Sequence, residues 1–230
     1  ADLQRRVLRI IAEGLGAHET FFDEMLTDGA TLTRAIHYPA MEQAPGEQHV
    51  WAGEHADINL ITALPRATAA GLQLKTPDGE WSDVAPPEGS AIINTGLMLE
   101  RLTNGMIPPG IHRVVSGAGQ QGDRYSVVQF AHPTPWTVLA PMPSTITAEN
   151  PLRYSAIAAS DALDKVLYEI NLVEDGRRVD ADDRAHDRRR QPLVDARDVV
   201  ERAVRLDVRH PERRLPARRA TSAHQAGGAE

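Results

Sequence analysis

Glu54-His55-Ala56-Asp57-Ile58-Asn59-Leu60-Ile61-Thr62 sets a histidine and a carboxylate two residues apart at the entrance to an apolar run. In extended backbone, positions i and i+2 face the same side, so the His55 imidazole and the Asp57 carboxylate can converge on one point. Such a pair can hold a metal on two edges. The competing interpretation is a surface turn that Asp57 caps and in which His55 is incidental.

Working outward, a second histidine stands in Pro108-Pro109-Gly110-Ile111-His112-Arg113-Val114-Val115, again at the mouth of a β-branched run. Two histidines and one carboxylate on one face of an octahedral ion leave open positions, the donor set of non-haem Fe(II) oxygenases. Arg124-Tyr125-Ser126 then opens the run Val127-Val128-Gln129-Phe130. On a strand Arg124 and Ser126 share a face, so a guanidinium fork and a hydroxyl can grip one carboxylate, or else form a solvent-facing edge pair. A zinc hydrolase fits less well, because the pattern lacks a base such as the glutamate of H-E-x-x-H.

His55-x-Asp57, His112 and Arg124-x-Ser126, with Gly71-Leu72-Gln73-Leu74 and Leu102-Thr103-Asn104-Gly105 between them, resemble the isopenicillin N synthase-like family of 2-oxoglutarate/Fe(II)-dependent oxygenases. The resemblance covers residues 1–172 and is strongest over 34–132. It implies a mainly β double-stranded β-helix, or jelly roll, with flanking helices. It further implies Fe(II) on His55, Asp57 and His112. The cosubstrate 2-oxoglutarate would be anchored by Arg124 and Ser126, with Tyr38 of Arg34-Ala35-Ile36-His37-Tyr38-Pro39 helping to hold the acid. The implied reaction uses O2 to oxidise a small molecule by hydroxylation, desaturation or ring closure, with release of succinate and CO2. Ile36 stands where many plant members carry asparagine, and Leu97 where the family usually has an aspartate that supports a helix start. The N-terminal region that precedes such a domain in the family is missing from this sequence.

Composition sets the outer limits. A chain of 230 residues has room for one sizeable core, or one domain plus a tail. A net charge of −7 argues against a nucleic-acid surface. Zero cysteines remove disulfides, thiolate metal sites and cysteine nucleophiles. No apolar run is long enough to cross a bilayer, and the start lacks the order of a signal peptide, so a monomeric cytoplasmic enzyme is expected.

Along the chain, Leu3, Val7, Leu8 and Ile11 predict an amphipathic helix over 2–14, ended by Gly14 and Gly16. A second short helix is expected over 19–26. Strands are expected at 31–38, 48–55, 58–64, 71–76, 80–84, 90–95, 111–116 and 124–131, with a hairpin at Pro77-Asp78-Gly79. Helices are expected at 97–102, with Asn104-Gly105 as its C-cap, and at 160–172. This gives a helical segment at 1–29, a jelly-roll domain at 30–140 and an extension with a helix at 141–173.

Residues 174–230 lack lysine and tyrosine, and Arg188-Arg189-Arg190 and Arg213-Arg214 sit among acids. Too little apolar surface is present to offset ordering entropy, so a disordered tail is expected, with a frameshifted reading or a helix at 194–208 as alternatives. Two other functional readings stand beside the oxygenase. One is an inactive fragment or pseudo-enzyme that keeps only a metal-binding jelly roll; the other is a synthase-like oxidase that uses no 2-oxoglutarate.

Overall fold

Short β-type runs fill the middle of the chain and form the strands of two sheets; the alternation of buried and exposed residues is clearest in the runs 112–115 and 124–128. The computed structural model describes residues 2–40, 50–116 and 122–169. The expected tail at 174–230, with its alternative helix at 194–208, lies outside them.

The amphipathic start forms α1 (Asp2–Gly14), which buries Val7, Leu8, Ile11 and Ala12. Gly16, at φ +70°, turns the chain away. Only Asp23–Leu26 of the expected second helix is helical, as α2. Ahead of it, Phe21 N donates to His18 O and Asp23 N to Thr20 O, each across three residues, so tight turns replace the helical start.

Next come β1 (Thr31–Tyr38), β2 (Val50–His55), β3 (Ile61–Ala67), β4 (Leu72–Lys75), β5 (Trp81–Asp83) and β6 (Ile92–Thr95). They are followed by α3 (Leu97–Leu102), β7 (His112–Val115), β8 (Arg124–Ala131), β9 (Val138–Leu139), β10 (Ile157–Ala158) and α4 (Ala159–Glu169). One four-stranded sheet has the order β1-β8-β3-β6 and the other β2-β7-β4-β5, all pairs being antiparallel. From β1 to β4 the chain alternates between the sheets, which is the winding of a jelly roll. A further pair, β9 with β10, falls outside the expected strands.

Several strands are one or two residues shorter than expected, and β3 is displaced by three at each end for local reasons. β3 begins at Ile61 rather than residue 58, because the carbonyls of Ile58 and Asn59 both accept from Met98 N at the start of α3 (3.2 Å each). It continues to Ala67 past Pro65, where a register shift between Ala63 and Arg66 absorbs a residue that cannot donate to a ladder. In the β4–β5 hairpin only Gly79 takes positive φ, at +90°, and Thr76 N closes the turn on Glu80 O at 2.7 Å. The last helix starts one residue earlier than expected, and its expected end at 172 lies outside the described residues.

The apolar core is divided. The larger part joins α1, Phe22, Leu60, Ile61, α3, Leu139 and Met142, away from the space between the sheets. Each fully buried Leu or Ile there contributes about 1.5–3 kcal/mol. A smaller cluster of Tyr38, Leu72 and Val114, packed by Ile36, Trp51, Ala52, Val84 and Ile92, links the two sheets directly. Polar side chains share that inner space, and they form the candidate site.

Candidate metal centre

His55 ends β2 and His112 begins β7, and the two are cross-strand partners. Their rings lie 4.3 Å apart, centre to centre. Each ring is oriented the same way: Nδ1 of His55 donates to Gly53 O (2.7 Å) and Nδ1 of His112 to Gly110 O (2.8 Å). A carbonyl can only accept, so the proton sits on Nδ1 and the Nε2 lone pair is the one offered to a metal. Gly110 is itself fixed by donating to Thr95 O at 2.9 Å.

Asp57 is not on a strand. It lies in the link from β2 to β3, where the chain crosses from one sheet to the other. The i, i+2 geometry of a single strand therefore does not bring it to His55; the crossover loop does. That loop is pinned by α3: Leu97 N donates to Asp57 O (2.8 Å) and Gly96 N to Leu60 O (2.9 Å). Inside the loop the Asn59 amide donates to Ile61 O and Thr62 Oγ1, both at 3.0 Å. A side chain at Gly96 would put its Cβ 2.1 Å from Asn59 O, so the close approach of helix and loop requires glycine there.

One ligand atom from each of His55, Asp57 and His112 lies within 4.8 Å of the others. Asp57 is 7% exposed, its Oδ1 sits 4.0 Å from His112 Nε2, and its Oδ2 is buried without a hydrogen-bond partner. A buried carboxylate oxygen left unpaired is costly, and a cation satisfies it. Burial pushes the His112 imidazole below its ordinary pKa, outweighing the Gly110 carbonyl and Asp57, which favour the protonated ring. The neutral, metal-ready form is thus the stable one near pH 7. The N, N, O donor set fits Fe(II).

Further inside, Arg124 begins β8 opposite Tyr38, and its guanidinium carbon lies 4.9 Å from the Tyr38 ring centre. Arg124 is 1% exposed; its Nε is shared between Ala69 O (3.2 Å) and Ala70 O (3.1 Å), while Nη1 has no partner. Burial works against its charge, yet guanidinium stays protonated in proteins. Among the described residues no carboxylate pairs with it. Ser126, two residues along β8 and also buried, shares its face. Gly71, beside this arginine, lets β4 approach β7 closely: its φ is +119° and a Cβ there would stand 2.3 Å from Val115 O. On the outer face of the same strand ends, Asp123 accepts from Ala40 N (2.7 Å) and the Tyr125 hydroxyl (3.0 Å) and pairs with His37 (2.9 Å), securing Tyr38 opposite Arg124.

A model of the 2OG-Fe(II) oxygenase superfamily matches residues 30–133. The 2-oxoglutarate-Fe(II) type oxidoreductase hxnY of Emericella nidulans is 32% identical over 162 residues, 70% of this chain and 46% of that protein. Residues 30–133 form a domain of the 2OG-Fe(II) oxygenase superfamily. Gibberellin 2-beta-dioxygenase 2 of Oryza sativa is 33% identical over 175 residues, covering 67% of this chain and 47% of the plant enzyme. Among solved structures, a full-length Neurospora crassa protein in complex with alpha-KG and thymine superposes with a TM-score of 0.68 at 32% identity, over 74% of this chain and 53% of the fungal one. The chain spans about half the length of the curated relatives it matches.

Within this oxygenase domain the structure brings His55, Asp57 and His112 to one point and sets Arg124, Ser126 and Tyr38 in a second, deeper group. Leu97, where the family usually has aspartate, is half-buried, and α3 starts from Gly96 with no side-chain cap. The supports of the site, Asn59, Gly96 and the φ of Gly71, escaped the sequence reading. The Asn-to-Gly spacing carries no local signal, since the two meet only through tertiary contact. No helix among the described residues is long and apolar enough to cross a membrane.

Proposed function

We propose that this chain is the catalytic domain of a non-haem Fe(II)/2-oxoglutarate-dependent dioxygenase acting on a small organic molecule. The observation that carries this is the pairing of a buried, half-unsatisfied Asp57 flanked by two oriented imidazoles with a buried Arg124 that no carboxylate among the described residues neutralises. His55, Asp57 and His112 would hold the metal. Arg124 and Ser126, with Tyr38 alongside, would hold the far carboxylate of 2-oxoglutarate.

The distance supports one ligand spanning both groups. Val115, which packs against Gly71 beside Arg124, is three residues from His112 on β7, about 10 Å along the strand. With side chains reaching inward from both ends, a five-carbon dicarboxylate is of suitable length. Fe(II), when bound, supplies the O2 chemistry in which 2-oxoglutarate loses CO2 to become succinate and a substrate C–H bond is oxidised. The residues contribute position and charge. Arg124 neutralises and orients the acid, Tyr38 shields the guanidinium, and the two Nδ1–carbonyl bonds stop the imidazoles from rotating away. Leu72 and Val114 keep water from the acid's carbon chain.

The reading extends to a monomeric, cytoplasmic protein that uses O2 and a small-molecule substrate and has no nucleic-acid partner, which the net charge of −7 supports. The test is stoichiometric. With Fe(II), O2 and 2-oxoglutarate, succinate should appear as O2 is consumed. O2 consumption without succinate would reject 2-oxoglutarate as cosubstrate.

A further inference from the structure

Among the described residues, two buried N–H donors on the inner wall lack a hydrogen-bond partner, Arg124 Nη1 and Trp51 Nε1. Trp51 lies on β2, where Val50 pairs with Val115 and Ala52 with Val114. It is therefore level with the end of β7 that packs on Gly71, away from His55 and His112. Its ring centre is 5.3 Å from that of Tyr38, and the Tyr38 ring is 4.9 Å from the Arg124 guanidinium carbon. Trp51, Tyr38 and Arg124 thus form one continuous wall. The other side chains of that cluster, Ile36, Leu72, Ala52, Val84, Ile92 and Val114, offer no side-chain acceptor. A buried indole N–H is normally paired, and among the described residues this one has no acceptor; Ser116 Oγ, next to Val115, is likewise buried without a partner, so a bound carboxylate is a fitting acceptor for this end of the wall.

We propose that the Trp51 indole N–H is a further positioning donor to the carboxylate gripped by Arg124 and Ser126, and that it selects dicarboxylic over monocarboxylic 2-oxo acids. This rests on the reading given under Proposed function. Trp51 is not one of the candidate metal ligands, so its effect falls on the affinity and length preference for the acid.

The experiment uses Fe(II)-loaded protein under anaerobic conditions, titrated with 2-oxoglutarate and, separately, with pyruvate, which lacks the far carboxylate. With Trp81→Phe and Trp136→Phe in place, Trp51 is the remaining indole of the three in the chain. Its emission should then change saturably with 2-oxoglutarate and not with pyruvate. By calorimetry, Trp51→Phe in the otherwise native chain should weaken 2-oxoglutarate binding about tenfold, the scale of a hydrogen bond to a charged group, and leave pyruvate binding unchanged. Equal weakening for both acids, or unchanged 2-oxoglutarate affinity together with silent emission, overturns the inference. If 2-oxoglutarate binding is lost in Arg124→Met but intact in Trp51→Phe, the anchor stands and only the role of Trp51 falls. If the unsubstituted protein binds neither acid, the dioxygenase reading falls and takes this inference with it.

Discussion

Asp57 is the residue at which folding and the proposed chemistry pull in opposite directions. Its carboxylate is buried, and one oxygen lacks a protein partner. Asp57→Asn should lower Fe(II) affinity by more than about 100-fold, beyond the loss typical of an outer-shell change, while the metal-free protein is equally stable or slightly more so. Equilibrium dialysis and urea unfolding read the two effects separately. The histidines make the metal-free protein acid-sensitive. Burial lowers both His112 and His132 from their ordinary value, in each case against the field of Asp57. The unfolded chain therefore takes up protons at these rings, from about pH 6.5 downward, before the folded one does. Stability is full above that pH and declines as pH falls through the folded-state values, by up to about 1.4 kcal/mol per unit for each ring. Urea midpoints at pH 7.5 and 5.5 should differ, and His132→Gln should reduce the difference. The residue types of the site were legible in the sequence because metal chemistry restricts them. The route by which Asp57 reaches the histidines was not, because it passes through a sheet crossover held by Asn59 and α3.

At the level of elements, the approach of α3 to the 57–60 loop is what places the carboxylate. Gly96→Ala would drive a methyl into the Asn59 carbonyl and push the helix off the loop. It should cost about 2–4 kcal/mol by chemical denaturation and weaken Fe(II) binding as Asp57 shifts. Gly71→Ala combines a disfavoured φ with a clash at Val115 O and should cost a similar amount, about 2–4 kcal/mol, with its functional effect on 2-oxoglutarate rather than on the metal. That contrast separates the two ends of the inner space. The strands β1 and β8 and the helix α3 were readable to the residue, since alternation and an Asn-Gly ending are local signals. The short second helix and the start of β3 were not. In both places hydrogen bonds from neighbouring backbone override the apolar pattern. Trp51 was not singled out within the expected strand 48–55, because alternation reports which way a side chain points but not whether its N–H finds an acceptor.

Across the whole molecule, the site depends on a sheet braced from outside. The α1 helix docks by Leu8 and Ile11 and by a buried Gln4 whose amide donates to Ile61 O (3.2 Å) and Gln129 O (2.8 Å), bridging β3 and β8. Leu8→Ala should cost about 2–5 kcal/mol, seen as a lower urea midpoint, and leave the visible spectrum of the loaded protein unchanged in shape. Ligand linkage runs the other way: Fe(II) at a hundred times its Kd should stabilise the fold by about 2.7 kcal/mol. Both expectations follow from a site assembled from distant parts of the chain rather than from one local motif. The most direct measurement is an anaerobic titration of the metal-free protein with Fe(II) and then 2-oxoglutarate, followed by visible absorption. A charge-transfer band that saturates at one Fe(II) and one 2-oxoglutarate per chain, and is absent in Asp57→Asn, is the predicted result. A colourless mixture with no measurable Fe(II) affinity would contradict it.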